Sequence, residues 1–166
     1  MQKENRNIKT EFLDELDRHQ GILQKICFVY SKKSLEKEDL CQEIILQLWK
    51  SYPSFKRESA FSTWMYRVAL NTALSLTKKK QLFIRSEEIH ESSFDMEYSM
   101  NLTEDIKVLY KAISQLNKVE KAIILLWLED KSYKEIADII GMSIKNISVR
   151  LVRIKAKLKD LINKYQ

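Results

Sequence analysis

The chain has 166 residues, 45% hydrophobic and 31% charged, with a formal net charge of +6. That length suits one ordinary domain or two small ones. The absence of a long apolar run or an N-terminal signal pattern predicts a soluble, cytoplasmic protein with no membrane insertion. Two Gly and one Pro, with few strand signals, point to an all-α fold. Cys27 and Cys41 are too far apart for a zinc ribbon or a CxxC redox pair and read as small core residues. His19 and His90 have no partner at metal-ligand or triad spacing. No active site is expected, hence no metal, no cofactor and no small-molecule substrate.

Charge is unevenly distributed. Residues 1–85 hold 16 Lys/Arg against 10 Asp/Glu, residues 86–105 none against 7, and residues 106–166 hold 13 against 6. Two basic bodies joined by an acidic strip is a layout whose natural partner is nucleic acid. The expected organisation is an N-terminal helical domain at 1–85, an acidic linker at 86–104 and a C-terminal domain at 105–166.

In chain order, the first ten residues are polar. Phe12, Leu16, Leu23, Ile26 and Tyr30 suit one helix, or two split near Gly21. A helix follows from Leu35 to Lys50, with Leu40, Ile44 and Leu48 as its buried stripe, Ser34 as N-cap and acids in its first turns. On its other side stand Asp39, Gln42, Glu43 and Gln47, a small acidic-amide face on a basic domain. That face reads equally as a docking site for a basic protein or as a solvated surface. Ser51–Ala60 is a loop with Pro53 and the Lys56–Arg57 pair.

A helix is expected from Phe61 to Lys80, with Phe61, Trp64, Val68, Ala69, Ala73 and Leu76 as its stripe. Tyr52, Phe55, Lys56, Arg57 and Phe61 mix aromatic and basic groups. The mixture suits a strand of unpaired bases, or a loop whose aromatics fold back on the core. Asn71 can both donate and accept, as base edges require. Lys78 to Lys80 either complement the helix dipole or clamp phosphate.

Further helices are expected near Glu104–Gln115, Lys118–Glu129, Ser132–Ile140 and Ile144–Asn163. The last two form a helix-turn-helix. Ile136, Ala137 and Ile140 allow close packing, Gly141 supplies the positive φ of the turn, and Ser143 caps the second helix. Ile147, Leu151, Ile154 and Leu158 form a buried stripe, leaving Lys145, Asn146, Val149, Arg150 and Arg153 to meet DNA in the major groove.

The segments EDLCQEIILQLWKSYPSFKRESAFSTWMYRVALNTALSLTKKK and KVEKAIILLWLEDKSYKEIADIIGMSIKNISVRLVRIKAKLKDLI, in this order, resemble a bacterial RNA polymerase sigma factor of the minimal, two-domain extracytoplasmic-function class. The likeness covers about residues 12–163. It implies that Asp39, Gln42 and Glu43 dock on the clamp coiled coil of core RNA polymerase. It also implies that the loop Tyr52–Ala60, with Trp64 and Asn71 in the next helix, captures a flipped base of the minus-ten element in melted promoter DNA.

The helix from Ser143 to Lys155 would then read the minus-thirty-five element as duplex, and an anti-sigma protein is an implied partner. This chain has Lys145-Asn146 where many members have Gly-Thr, and Ser148 where they have a basic residue, so the promoter sequence does not carry over. Asn146 invites an adenine contact and Arg150 or Arg153 a guanine or phosphate contact. The acidic linker spans at most ~70 Å when extended, and in the free protein it is expected to fold onto the basic domains and weaken DNA binding. The alternative is a dimeric helix-turn-helix regulator of closed duplex. A helical nucleic-acid enzyme and a purely protein-binding module are weaker rivals.

Overall fold

The computed structural model describes residues 2–31, 34–83 and 103–165, with side chains described from residue 7 onward except those of 34 and 77–83. The fold is all-α: among the described residues every regular element is helical, eight α-helices and one 3₁₀ turn. The linker expectation for 86–104 falls almost wholly outside the described residues, as does the side chain of Lys78.

Helices α1 (Gln2–Arg18) and α2 (Gln20–Tyr30) are separated by His19, two residues before the expected break. The physical cause is local competition. His19 Nδ1–H donates to the Glu15 carbonyl at 2.8 Å, while the His19 amide turns to Leu16 O at 3.2 Å. Gly21 has open space around it and already lies inside α2. Helix α2 is buried on almost every side, at Ile22, Leu23, Ile26, Cys27, Phe28, Val29 and Tyr30, because neighbours pack on it all round.

Helix α3 (Ser34–Ser51) buries Leu40, Ile44 and Leu48 against α2 and α4 (Phe61–Phe83), as the period predicts. Cys27 of α2 and Cys41 of α3 are joined by a disulfide, their Cα atoms 5.8 Å apart. The reading of both as mere core packing therefore needs correction: the contact between α2 and α3 brings together thiols 14 residues apart in sequence. In α4 the buried arc is wider than expected and shifted. Met65, Tyr66, Ala69, Leu70 and Ala73 are deepest, while Trp64, Val68 and Leu76 are only partly covered.

The C-terminal segment holds α5 (Glu104–Ser114), α6 (Lys118–Leu128), α7 (Tyr133–Ile140) and α8 (Ile144–Tyr165). Capping boxes open α6 (Asn117 with Glu120) and α7 (Ser132 with Glu135). The Ser132 backbone N–H, followed by its hydroxyl, holds the Glu135 carboxyl below the usual carboxylate range.

The two segments touch. Tyr30 Oη–H donates to Lys118 O at 2.6 Å, Lys121 Nζ to Val29 O at 3.2 Å and Lys131 Nζ to Thr63 Oγ1 at 3.2 Å. Lys25 pairs with Glu129, and Phe28 meets Tyr110 edge-on at 5.5 Å. Beside that ion pair lies the buried Tyr66 phenol, which has no partner within hydrogen-bond geometry among the described residues. Burial first, and then the Glu129 charge, hold its pKa well above the ordinary phenol value.

Candidate protein-docking and nucleic-acid surfaces

The first surface lies on α3, opposite the Leu40–Ile44–Leu48 stripe. Asp39 and Gln42 are exposed, and Glu43 and Gln47 are half-buried at the flank, with Gln47 Nε2 donating to Glu43 Oε1 at 2.7 Å. Three apolar residues missed from sequence complete this face. Leu35 is 76% exposed, Leu46 42% and Trp49 40%. With Asp39 and Gln42 they recur at steps of four, three, four and three, one continuous stripe. Their spacing is legible in the sequence, whereas their exposure follows from the tertiary packing. Exposed Leu35, Leu46 and Trp49 in line with Asp39 and Gln42 make a mixed apolar and polar strip on this side of α3.

The second surface joins the loop after α3 to α4. The loop folds back on the core: Tyr52 and Phe61 are each only 8% exposed. Tyr52 lies 5.1 Å from Phe12, 6.1 Å from Trp64 and 6.3 Å from both Phe55 and Phe61, ring centre to ring centre. Tyr52 and Phe61 thus anchor the loop through ring packing, the fold-back arrangement that the sequence left open beside strand binding. Phe55 and Trp64 remain half-exposed, 4.9 Å apart.

Lys56 and Arg57 are exposed; Arg57 adopts φ 57° and pairs with Glu11 of α1 at 3.1 Å. Asn71 is exposed on α4, with Arg67 one turn earlier on the same side. Arg67 was another omission, legible from its four-residue offset.

The third surface is the helix-turn-helix. Gly141 has φ 77° and its N–H donates to Ala137 O at 2.9 Å, closing α7. Ser143 Oγ accepts from the Asn146 N–H at 3.2 Å, opening α8. Ile147, Leu151, Ile154 and Leu158 are buried. The opposite arc exposes Lys145, Asn146, Val149 and Arg153, with Ser148 and Arg150 half-exposed at its edges.

Arg150 Nε donates to Asn146 Oδ1 at 3.0 Å, which fixes how the amide is turned. Val152, 68% exposed, extends the arc beyond the residues expected from sequence. Lys155 covers the Trp127 ring at 4.1 Å and Lys157 pairs with Glu120 at 3.1 Å, so these two cations are engaged within the fold. Among the described residues no group of three His, Cys, Asp or Glu side chains could hold a metal, and no helix is long and apolar enough to cross a membrane.

These surfaces fall in two segments with known counterparts. Residues 16–83 match Sigma-70 region 2, and residues 106–158 match Sigma-70, region 4. The ECF RNA polymerase sigma factor SigW of Bacillus subtilis is 22% identical over 168 residues, covering 90% of each chain. The ECF RNA polymerase sigma-E factor of Haemophilus influenzae is 28% identical over 138 residues, 75% of this chain and 73% of that protein.

Among solved structures, the sigma factor RpoE in complex with the anti-sigma factor NepR from Bartonella quintana has a TM-score of 0.68 at 26% identity, covering 95% of this chain and 97% of that one. CnrH, solved with the cytosolic domain of CnrY, shares the fold at a TM-score of 0.65 and 17% identity, covering 95% and 91%. The chain belongs to the sigma-70 family, in its extracytoplasmic-function class. Its role is that of a sigma factor in transcription initiation.

Proposed function

We propose that this chain docks on core RNA polymerase through α3, with Asp39, Gln42 and Glu43 at the centre and Leu35, Leu46 and Trp49 around them. In that complex Lys56, Arg57, Asn71 and the half-exposed Phe55–Trp64 pair hold the melted minus-ten strand, while Lys78 adds a phosphate contact. A flipped base loses a few kcal/mol of stacking, which a fitted pocket and a basic groove offset, so opening needs no ATP. The α8 arc of Lys145, Asn146, Ser148, Val149, Arg150 and Arg153, capped by Ser143, reads the minus-thirty-five duplex.

Residues 1–85 and 105–166 act as two domains, and the acidic 86–104 strip spans between them on polymerase. The protein works in the cytoplasm, has no turnover of its own, and is held in reserve by an anti-sigma protein, as RpoE is solved with NepR.

The observation carrying this reading is the α3 stripe: an acidic-amide centre inside an exposed apolar rim on a basic protein. The test mixes the purified chain with core polymerase and a promoter library and maps initiation sites. Initiation is expected at selected sites, and Asp39→Arg should abolish it with the melting temperature unchanged. Wild-type binding by Asp39→Arg would overturn the docking assignment. Tight binding of a palindrome by the chain alone, as a dimer, would replace the whole reading with that of a stand-alone regulator.

A further inference from the structure

We infer that Cys27 and Cys41 form a reversible thiol–disulfide modification site whose oxidised state holds the docking face of α3 ready for polymerase. The inference rests on the docking reading above. Three observations carry it. The Cα separation of 5.8 Å lets the pair open and close without backbone rearrangement. The two residues differ in exposure: Cys27 is fully buried at 0%, whereas Cys41 is partly exposed. Finally, Cys41 lies on α3 between Asp39 and Gln42.

The last point gives the site a consequence. In the described part of α3 before Ile44, Leu40 is the one buried side chain. The bridge is a second anchor for the two turns that present Leu35 and Asp39. Fixing them in advance lowers the ordering that docking would otherwise require.

The unequal exposure sets the order of events. An oxidised low-molecular-weight disulfide of the glutathione class is attacked by the Cys41 thiolate. This forms a mixed disulfide on Cys41 and releases one small thiolate. The Cys27 thiolate then attacks the Cys41 sulfur, closes the bridge and expels the second small thiolate. The two cysteines lose two protons and two electrons, and one small disulfide becomes two thiols. Opening by excess small thiol is the reverse.

The full chain would be equilibrated at graded ratios of reduced and oxidised glutathione, alkylated and weighed by mass spectrometry. Both thiols should disappear together. Cys27→Ser should trap one glutathione on Cys41, whereas Cys41→Ser should trap little, since its remaining thiol is buried. Oxidised and reduced wild-type protein, needing no substitution, are then compared for affinity to core polymerase. The oxidised form should bind roughly three- to ten-fold tighter, an increment of up to about 1.4 kcal/mol. Glutathione trapped equally on either single variant overturns the order of attack, and a pair still bridged at the most reducing ratio overturns reversibility. Equal or weaker binding by the oxidised form overturns the coupling to docking. If neither form binds polymerase, the docking reading itself falls, while the thiol count still decides the chemistry.

Discussion

The helix-turn-helix and the loop-plus-α4 surface are both assigned to DNA, yet they are built differently. In the first, one helix carries both the anchoring stripe and the reading arc, so burying Ile147, Leu151, Ile154 and Leu158 aims Lys145, Asn146, Val149 and Arg153 outward. In the second, the surface is pieced from a loop and a helix, and an aromatic cluster that also draws in Phe12 of α1 decides which rings stay free. A reading surface on a single helix follows from periodicity; one assembled from several elements follows from tertiary packing.

The sharpest way to break this contrast is to truncate one anchor in each region. Leu151→Ala should destabilise the fold by about 2–5 kcal/mol, and Tyr52→Ala by about 3–5 kcal/mol, both read by chemical denaturation. If Tyr52→Ala left stability intact and only weakened binding to single-stranded DNA, the ring would be a base platform and the contrast would dissolve.

Next in size, Asn146→Ala should relax base preference at one promoter position by about 1–3 kcal/mol in competition binding of holoenzyme. An equal loss on every sequence would make it a backbone contact. Gly141→Ala should cost about 1–2 kcal/mol, because φ 77° strains an L-residue although no atom crowds the new methyl; thermal melting checks this.

The smallest effect is electrostatic. Glu135 is held below the ordinary carboxylate range, so its stabilisation is fully present above that range and is lost as pH falls through the lowered value. Melting curves from about pH 7 down to about pH 3 should show an acid-side loss that Glu135→Gln removes.

Much of the architecture was legible in the residues. The stripes of α3 and α8, the Gly141 turn and the Ser143 cap are local patterns, and each stands where its spacing puts it. What escaped depends on partners distant in sequence. Tyr66 and Leu70 join the α4 core because α4 is enclosed by α2 and α3 on one part and by α6 and α7 on another. Periodicity reports one buried face, not two neighbours. The Cys27–Cys41 bridge needed the contact between α2 and α3, and the His19 break came from a side chain taking the Glu15 carbonyl.

The proposed docking centre at Asp39, Gln42 and Glu43 is visible in the sequence as a polar face. Its apolar rim was equally available at Leu35, Leu46 and Trp49 and is recovered only once exposure is known.

The bond from Arg150 to Asn146 has a consequence for the code this helix speaks. A free asparagine grips adenine with both ends, giving a proton to the ring nitrogen and taking one from the amino group. Here the accepting end is already engaged by its neighbour one turn along. The amide oxygen keeps a second lone pair, so in the proposed groove complex the side chain still offers an acceptor and a donor, with its plane set by Arg150. The guanidinium thereby holds its neighbour at one angle, while its remaining N–H groups stay available to a base or a phosphate.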